Sequence, residues 1–185
     1  MMKRLFDVVI SLAALLVLSP LMLAIYAAVR IFDHGPAIFR QVRIGQDCRD
    51  FELLKFRSMR MDAEATGGYS TEQNDPRITK IGRILRKTSL DELPQLINVL
   101  KGDMSIVGPR PDVPLQQANY SAADWALRHR VRPGITGAAQ AELRSFATAE
   151  QRLSLDLDYV RQHSVRRDLM IIWRTVGQIL TKGGN

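Results

Sequence analysis

The chain has 185 residues, 46% of them hydrophobic, which suits one core of ordinary size and excludes a disordered chain. A formal net charge of +7 and a sequence pI near 10.0 point to an anionic partner: nucleic acid, an anionic membrane surface or a phosphorylated small molecule. The single cysteine, Cys48, excludes an internal disulfide and a cysteine-based zinc cluster, and fits a reducing compartment.

From Val8 to Ala28 no residue is charged, and as a helix this stretch is roughly 30 Å long, enough to cross a bilayer core. The run exceeds the apolar region of a signal peptide and no small-x-small site closes it, so it reads as membrane-embedded. Pro20 has no N–H for the carbonyl of Leu16, which predicts a kink, with the Ser19 hydroxyl available to a freed carbonyl. Lys3 and Arg4 precede the segment and Arg30, Arg40, Arg43 and Arg49 follow it. Positive charge on both flanks suits a re-entrant hairpin over 1–32, broken at Ser19-Pro20, that enters and leaves by one face. A kinked single span is the alternative.

Residues 33–185 read as one compact domain, mostly α with small β elements (α+β). DHGP (33–36) is a turn. AIFRQVRIG and DFELLKFRSM read as short strands joined by GQDCRD. Residues 62–75 are polar and glycine-containing, a mobile loop placed to close over a ligand. PRITKIGRILRKTS sets Ile78, Ile81, Ile84 and Leu85 on one helical face, opposite Lys80, Arg83, Arg86 and Lys87.

SLDELPQL (89–96) follows, an acidic pair in a basic chain. A capping box from Ser89 to Glu92 is one reading, but Pro94 would then lie inside the helix and delete a hydrogen bond. The favoured register puts Pro94 at the first helical position and Gly102 just past the end. Asp91 and Glu92 then stand at the positive mouth of a short helix, where an anion is stabilised. Being sequence neighbours they point in different directions, which suits different roles.

KGDMSIVGPRP reads as a turn-rich loop holding Arg110 between Pro109 and Pro111, and RPGITG (132–137) as another arginine beside proline and glycine. Residues 115–131 and 148–163 read as helical. Leu169, Ile172, Trp173, Val176, Ile179 and Leu180 repeat at helical spacing with Arg166, Arg167, Arg174 and Lys182 around them. That pattern fits a helix at a membrane interface and a core-facing helix equally.

TSLDELPQLINVLKGDMSIVGPRP, VRPGITGAAQ, KFRSM and the N-terminal KRLFD with LSP, in this order, resemble the bacterial sugar transferase family, the monotopic phosphoglycosyl transferases. The resemblance implies a re-entrant membrane helix and a catalytic domain on the cytoplasmic face of the bacterial inner membrane. It also implies transfer of a phosphosugar from a UDP-sugar to polyprenyl (undecaprenyl) phosphate with Mg²⁺, releasing UMP. On the family pattern Asp91 is the nucleophile that forms a covalent phosphosugar intermediate, and Glu92 is its partner in the dyad. Lys55, Arg57, Arg132, Thr136, Asp156 and Tyr159 match family positions, the first four as substrate contacts and the last two with structural roles at least as fitting. After Gln140 the chain departs from the pattern, reading AELR, which keeps Arg144 but puts sugar recognition in doubt.

A carboxylate approaching a diphosphate meets about 4 kcal/mol of repulsion per like pair at 4 Å and an effective dielectric near 20. Cations are therefore required: Mg²⁺ between Asp91 and the diphosphate, with Arg86, Arg110 and Lys87 on phosphate oxygens. The basic surroundings thus let an acid attack an anion. Two rivals stand, a non-catalytic membrane-anchored basic binding module and a Mg²⁺-dependent diphosphatase. Nucleic acid is not expected, since the arginines stand in proline and glycine turns with few interleaved aromatics. The sugar is not legible, and a homo-oligomer is left open.

Overall fold

The computed structural model describes residues 2–67, 75–143 and 148–182. The protein is mostly helical, with two small sheets and one long apolar N-terminal helix, an α+β arrangement.

Helix α1 (Met2–Phe32) runs 31 residues with Pro20 inside it. The carbonyl that proline leaves without its N–H, that of Leu16, accepts instead from Ser19 Oγ at 2.9 Å. Asp7, Ser11, Ile25 and Val29 are buried and Ala14, Leu15 and Met22 pack against the interior. That spacing is one continuous helical face on both sides of the proline. Leu5, Val9, Leu12, Leu16, Val17, Leu23, Ile31 and Phe32 face outward and are exposed.

Both ends of α1 are fastened to the rest of the chain. Lys3 Nζ donates to Asp168 at 2.6 Å and to the Val107 carbonyl; Asp7 accepts from Ser105 Oγ and from the Ile106 N–H. At the far end the chain turns through His34 (φ 45°) and Gly35 (φ 114°), and the Gly35 carbonyl accepts from Arg30 at 2.9 Å.

The two short strands read from sequence, β1 (Ile38–Ile44) and β2 (Asp50–Phe56), pair as an antiparallel hairpin, in register from Ile38 opposite Phe56 to Ile44 opposite Asp50. Of the loop expected over 62–75, Ala63–Thr66 make a single helical turn, α2. Residues 68–74 lie outside the described residues. Helix α3 (Lys80–Thr88) is capped by Thr79, whose side chain accepts from the Gly82 N–H. A Cβ on Gly82 would lie 1.9 Å from the Ser58 carbonyl oxygen, so glycine is what lets α3 close on the end of β2. Leu85 is buried and Ile81 packs beside it, but Ile84 is 64% exposed and Ile78 precedes the helix.

Ser89 ends α3 in the left-handed region (φ 56°, ψ 17°), its N–H donating to the Arg86 and Leu85 carbonyls, and its side chain caps nothing. The capping-box register is thereby excluded. Leu90–Glu92 form one 3-10 turn, and α4 (Gln95–Lys101) begins just after Pro94, one residue later than expected, ending at Gly102 with φ 98°.

The two segments read as turn-rich loops contain strands. β3 (Ser105–Val107) and β4 (Gly134–Thr136) pair in parallel. Each has three residues walled by glycine and proline, too short to show a two-residue period. The 115–131 stretch holds a 3-10 run, Pro114–Asn119, and then α5 (Ala122–Arg128). Helices α6 (Ala138–Leu143), α7 (Ala149–Gln162) and α8 (Val165–Lys182) complete the chain.

The main core gathers Leu53, Leu96, Val99, Met104, Val107, Tyr159 and Ile171, with Ala14 and Leu15 of α1 against it. A second cluster packs Ile25 and Val29 on Ala37, Phe56 and Leu85. Leu93, one residue beyond the acidic pair, touches both clusters and so seats that pair over α1. On α8, Asp168 and Ile171 face inward while Leu169, Met170, Val176 and Trp173, the last 81% exposed, face outward.

Candidate active site

Sequence neighbours pointing in different directions suit different roles for Asp91 and Glu92, and the fold gives the two acids different surroundings. Glu92 lies within 2.9 Å of Lys55 Nζ, brought in by the end of β2, and 3.4 Å from Arg110 Nη1. Burial would push its carboxyl up, but Lys55 and Arg110 outweigh that and hold it at about 2. Glu92 is therefore a fixed anion. Burial draws Lys55 below the usual lysine range, partly offset by Glu92.

Asp91 is 7% exposed. Among the described residues its carboxylate accepts no hydrogen bond and has no cation within ion-pair distance. Burial pushes it above the usual carboxylate range, opposed by Lys55, Arg86 and Arg110 standing further off. A desolvated, unpaired carboxylate ringed by cations is a poor structural element and a good nucleophile or cation ligand.

Arg86 donates through Nε to Ser58 Oγ at 3.0 Å, which fixes the planar head, while among the described residues its two Nη atoms bind nothing. Arg110 reaches Glu92 only at 3.4 and 3.5 Å and its side chain is 45% exposed, leaving its fork free for an incoming oxyanion. Its backbone is held tightly. The carbonyls of Pro109, Arg110, Pro111 and Asp112 accept, each at 2.9 Å, from Gly134 N, Arg128 Nη2, Arg43 Nη1 and Ile44 N.

Five of the residues singled out from sequence thus converge: Lys55, Arg86, Asp91, Glu92 and Arg110. The others lie apart. Arg57 is buried with Nη2 on the Asp33 and His34 carbonyls, fastening the turn after α1. Arg132 donates to the Gly102 carbonyl, at the end of α4 away from Asp91. Thr136 bonds Thr175 on α8 at 2.7 Å, Lys87 is exposed on α3, and Arg144 lies outside the described residues. Asp156 pairs with Arg128, and Tyr159 donates to Asp168 and the Val107 carbonyl. Ser58, Arg43 and Arg128 were not singled out, because nothing local in KFRSM, RQVRI or WALRH distinguishes an arginine that braces a distant loop from one on the surface.

The chain matches the family model described as bacterial sugar transferase over residues 1–182. It is 44% identical over 183 residues to the UDP-glucose:undecaprenyl-phosphate glucose-1-phosphate transferase of Escherichia coli, covering 95% of this chain but 39% of that protein. It is 45% identical to the exopolysaccharide production protein PSS of Rhizobium leguminosarum bv. phaseoli, covering 98% of this chain and 96% of that protein. A UDP-N-acetylgalactosamine-undecaprenyl-phosphate N-acetylgalactosaminephosphotransferase of Aeromonas hydrophila is 38% identical, with 98% of this chain and 44% of that protein aligned. With a family match along almost its whole length and a relative aligned nearly end to end, this chain belongs to the bacterial sugar transferase family.

Proposed function

We propose that this chain transfers a phosphosugar from a UDP-sugar to polyprenyl (undecaprenyl) phosphate by way of a covalent intermediate on Asp91. The observation that carries the reading is the asymmetry of the acidic pair: Glu92 is neutralised by Lys55 and Arg110, while Asp91 is buried, unpaired and surrounded by cations. The named reactions of the Escherichia coli and Aeromonas relatives support the substrate class.

In the first half-reaction an Asp91 oxygen attacks the phosphorus that bears the sugar. The bond from that phosphorus to the bridging oxygen breaks, and UMP leaves with the electron pair. In the second, a phosphate oxygen of the lipid attacks the same phosphorus, the acyl phosphate bond breaks, and Asp91 is regenerated as a carboxylate. Arg86 and Arg110 hold the equatorial oxygens and Glu92 keeps Lys55 in place.

Among the described residues no group of three or more His, Cys, Asp or Glu side chains is arranged to hold a metal ion by itself. Mg²⁺ is commonly held by one or two carboxylates together with phosphate oxygens, a donor set that the uncommitted Asp91 oxygens fit. Once bound it neutralises charge between carboxylate and diphosphate.

The packing of α1 supports a shallow membrane placement. Its inward face packs on one domain on both sides of Pro20 and both of its ends are pinned there. A span perpendicular to the bilayer would drag the charged cluster beside its middle into hydrocarbon, at several kcal/mol per charge. A shallow, re-entrant helix at the cytoplasmic face of the inner membrane avoids this, with the outward face of α8 in the interface. The lipid phosphate then meets Asp91 at headgroup depth.

The test is to incubate the enzyme with Mg²⁺ and UDP-sugars one at a time, without lipid, and digest it. A peptide containing Asp91 should carry the phosphosugar mass, with one UMP released per enzyme. UMP release that continues past one equivalent without lipid marks a diphosphatase, and no UMP release with any donor marks a binding module.

A further inference from the structure

We propose that Arg128 is a positioning residue that aims the Arg110 guanidinium at the diphosphate, and that Asp112 and Asp156 are built around it for that purpose. The proposal rests on the function given above.

Arg128 ends α5 and is 5% exposed. Its guanidinium ties α5 to two other parts of the chain, the loop of Arg110 and Asp112 and helix α7. Nη1 meets Asp112, Nε and Nη2 meet Asp156 of α7 at 3.1 and 2.8 Å, and Nη2 also donates to the Arg110 carbonyl at 2.9 Å. Asp112 takes a further bond from Tyr120 OH at 3.2 Å and has His129 Nε2 at 3.5 Å.

Three buried charges are an expensive way to hold α5 against α7, because apolar side chains of similar volume would do so with no desolvation cost. What apolar groups cannot do is orient a carbonyl. Pro109 has a fixed φ, and Pro111 confines Arg110 to extended conformations. Within that region ψ of Arg110 still varies by some tens of degrees, and its value sets where the Arg110 carbonyl points relative to the Cα–Cβ bond. Arg128 holds that carbonyl and so removes the remaining freedom. The side chain of Arg110 has no comparable restraint, being half exposed and only loosely on Glu92, so its direction depends on the backbone from which it departs. The two carboxylates hold Arg128 from opposite sides, so its head cannot turn away from the loop.

Arg128→Lys keeps the charge but cannot span both carboxylates and the carbonyl. Single-turnover formation of the Asp91 adduct, scaled to folded enzyme, should slow about 10- to 100-fold, the effect of an ångström-scale misplacement. Arg110→Ala should slow it at least as much, and the double variant should be no slower than Arg110→Ala alone. Effects that multiply in the double variant, or an Arg128→Lys rate equal to wild type, overturn the proposal. Asp156→Asn, a milder change, repeats the cycle should Arg128→Lys fold poorly, and independence from Arg110 there is equally fatal. Equilibrium affinity for inorganic pyrophosphate, measured on the same variants, separates this from the transferase reading. If wild type forms no adduct yet pyrophosphate affinity falls non-additively at 110 and 128, the positioning stands and the transferase reading fails. If the adduct forms normally and neither readout couples the two arginines, the reverse holds.

Discussion

Two charged clusters flank α4, and they are built to opposite standards. At the N-terminal end of α1, Lys3 meets Asp168 and the Val107 carbonyl, Asp168 also accepts from Tyr159, Asp7 takes Ser105 and the Ile106 N–H, and Arg4 donates to the Val99 and Leu100 carbonyls. Each of these charged groups has its partners. At the other end, Asp91 has none among the described residues, Arg110 is held loosely and Arg86 uses one nitrogen of three. A folded chain tolerates incomplete pairing at a cost of kilocalories, so the deficit marks where a substrate completes the set. The clasp holds the molecule together, and the open cluster is the site of the proposed reaction.

The sharpest way to break this comparison is Asp91→Asn. Adduct formation should fall by about a thousandfold or more, roughly 4 kcal/mol in the barrier. The folded protein should become no less stable: burial raises the Asp91 carboxyl, so at neutral pH its charge opposes folding and a neutral isostere relieves it. A thermal midpoint several degrees lower would mean that Asp91 is paired after all. In the clasp the signs reverse. Asp168→Ala takes a partner from the partly buried Lys3 and from the Tyr159 hydroxyl and should cost about 3 kcal/mol, the lower end for a buried pair, read as a drop in thermal midpoint in detergent, while the rate per folded molecule stays near wild type. A rate loss without a stability loss would put Asp168 in the chemistry.

Acid titration separates the two acids of the pair. Glu92 is held at about 2 against an ordinary 4.5. Its contribution is complete above about 4.5 and disappears as pH falls toward 2, on the order of 3 kcal/mol by linkage. Asp91, shifted the other way, should place the acid limb of kcat/KM above the ordinary aspartate range, a limb that Glu92→Gln leaves in the same direction. Denaturant unfolding across about pH 2 to 7 and initial rates over the same range read the two effects independently. The smallest effect belongs to Ser19→Ala, which removes the bond to the Leu16 carbonyl and should cost about 1 kcal/mol or less, visible as faster hydrogen exchange around Pro20 with no change in rate constants.

Much of the fold was legible where the signal is local. The run over Pro20 shows in its lack of charge, β1 and β2 in two short segments around a polar turn, α3 in its amphipathic spacing, and α7 within a stretch read as helical. Gly102 ends α4 as expected, because a left-handed residue there suits glycine. Pro94 already argues against Ser89 as a cap, and the end of α3 shows what Ser89 does instead, closing the preceding helix in the left-handed region. β3 and β4 were hidden because three residues between glycines and prolines carry no period, and a parallel pair is defined by its partner.

What the sequence by itself determined is the list of parts: a long apolar helix, a basic domain, and an acidic pair before a short helix. Tertiary structure decided which acid is free. Lys55 lies 37 residues from Glu92 and Arg110 lies 18, distances along the chain at which no local pattern registers. It is packing of β2, α4 and the loop after β3 on α1 that sends both cations to Glu92 and none to Asp91.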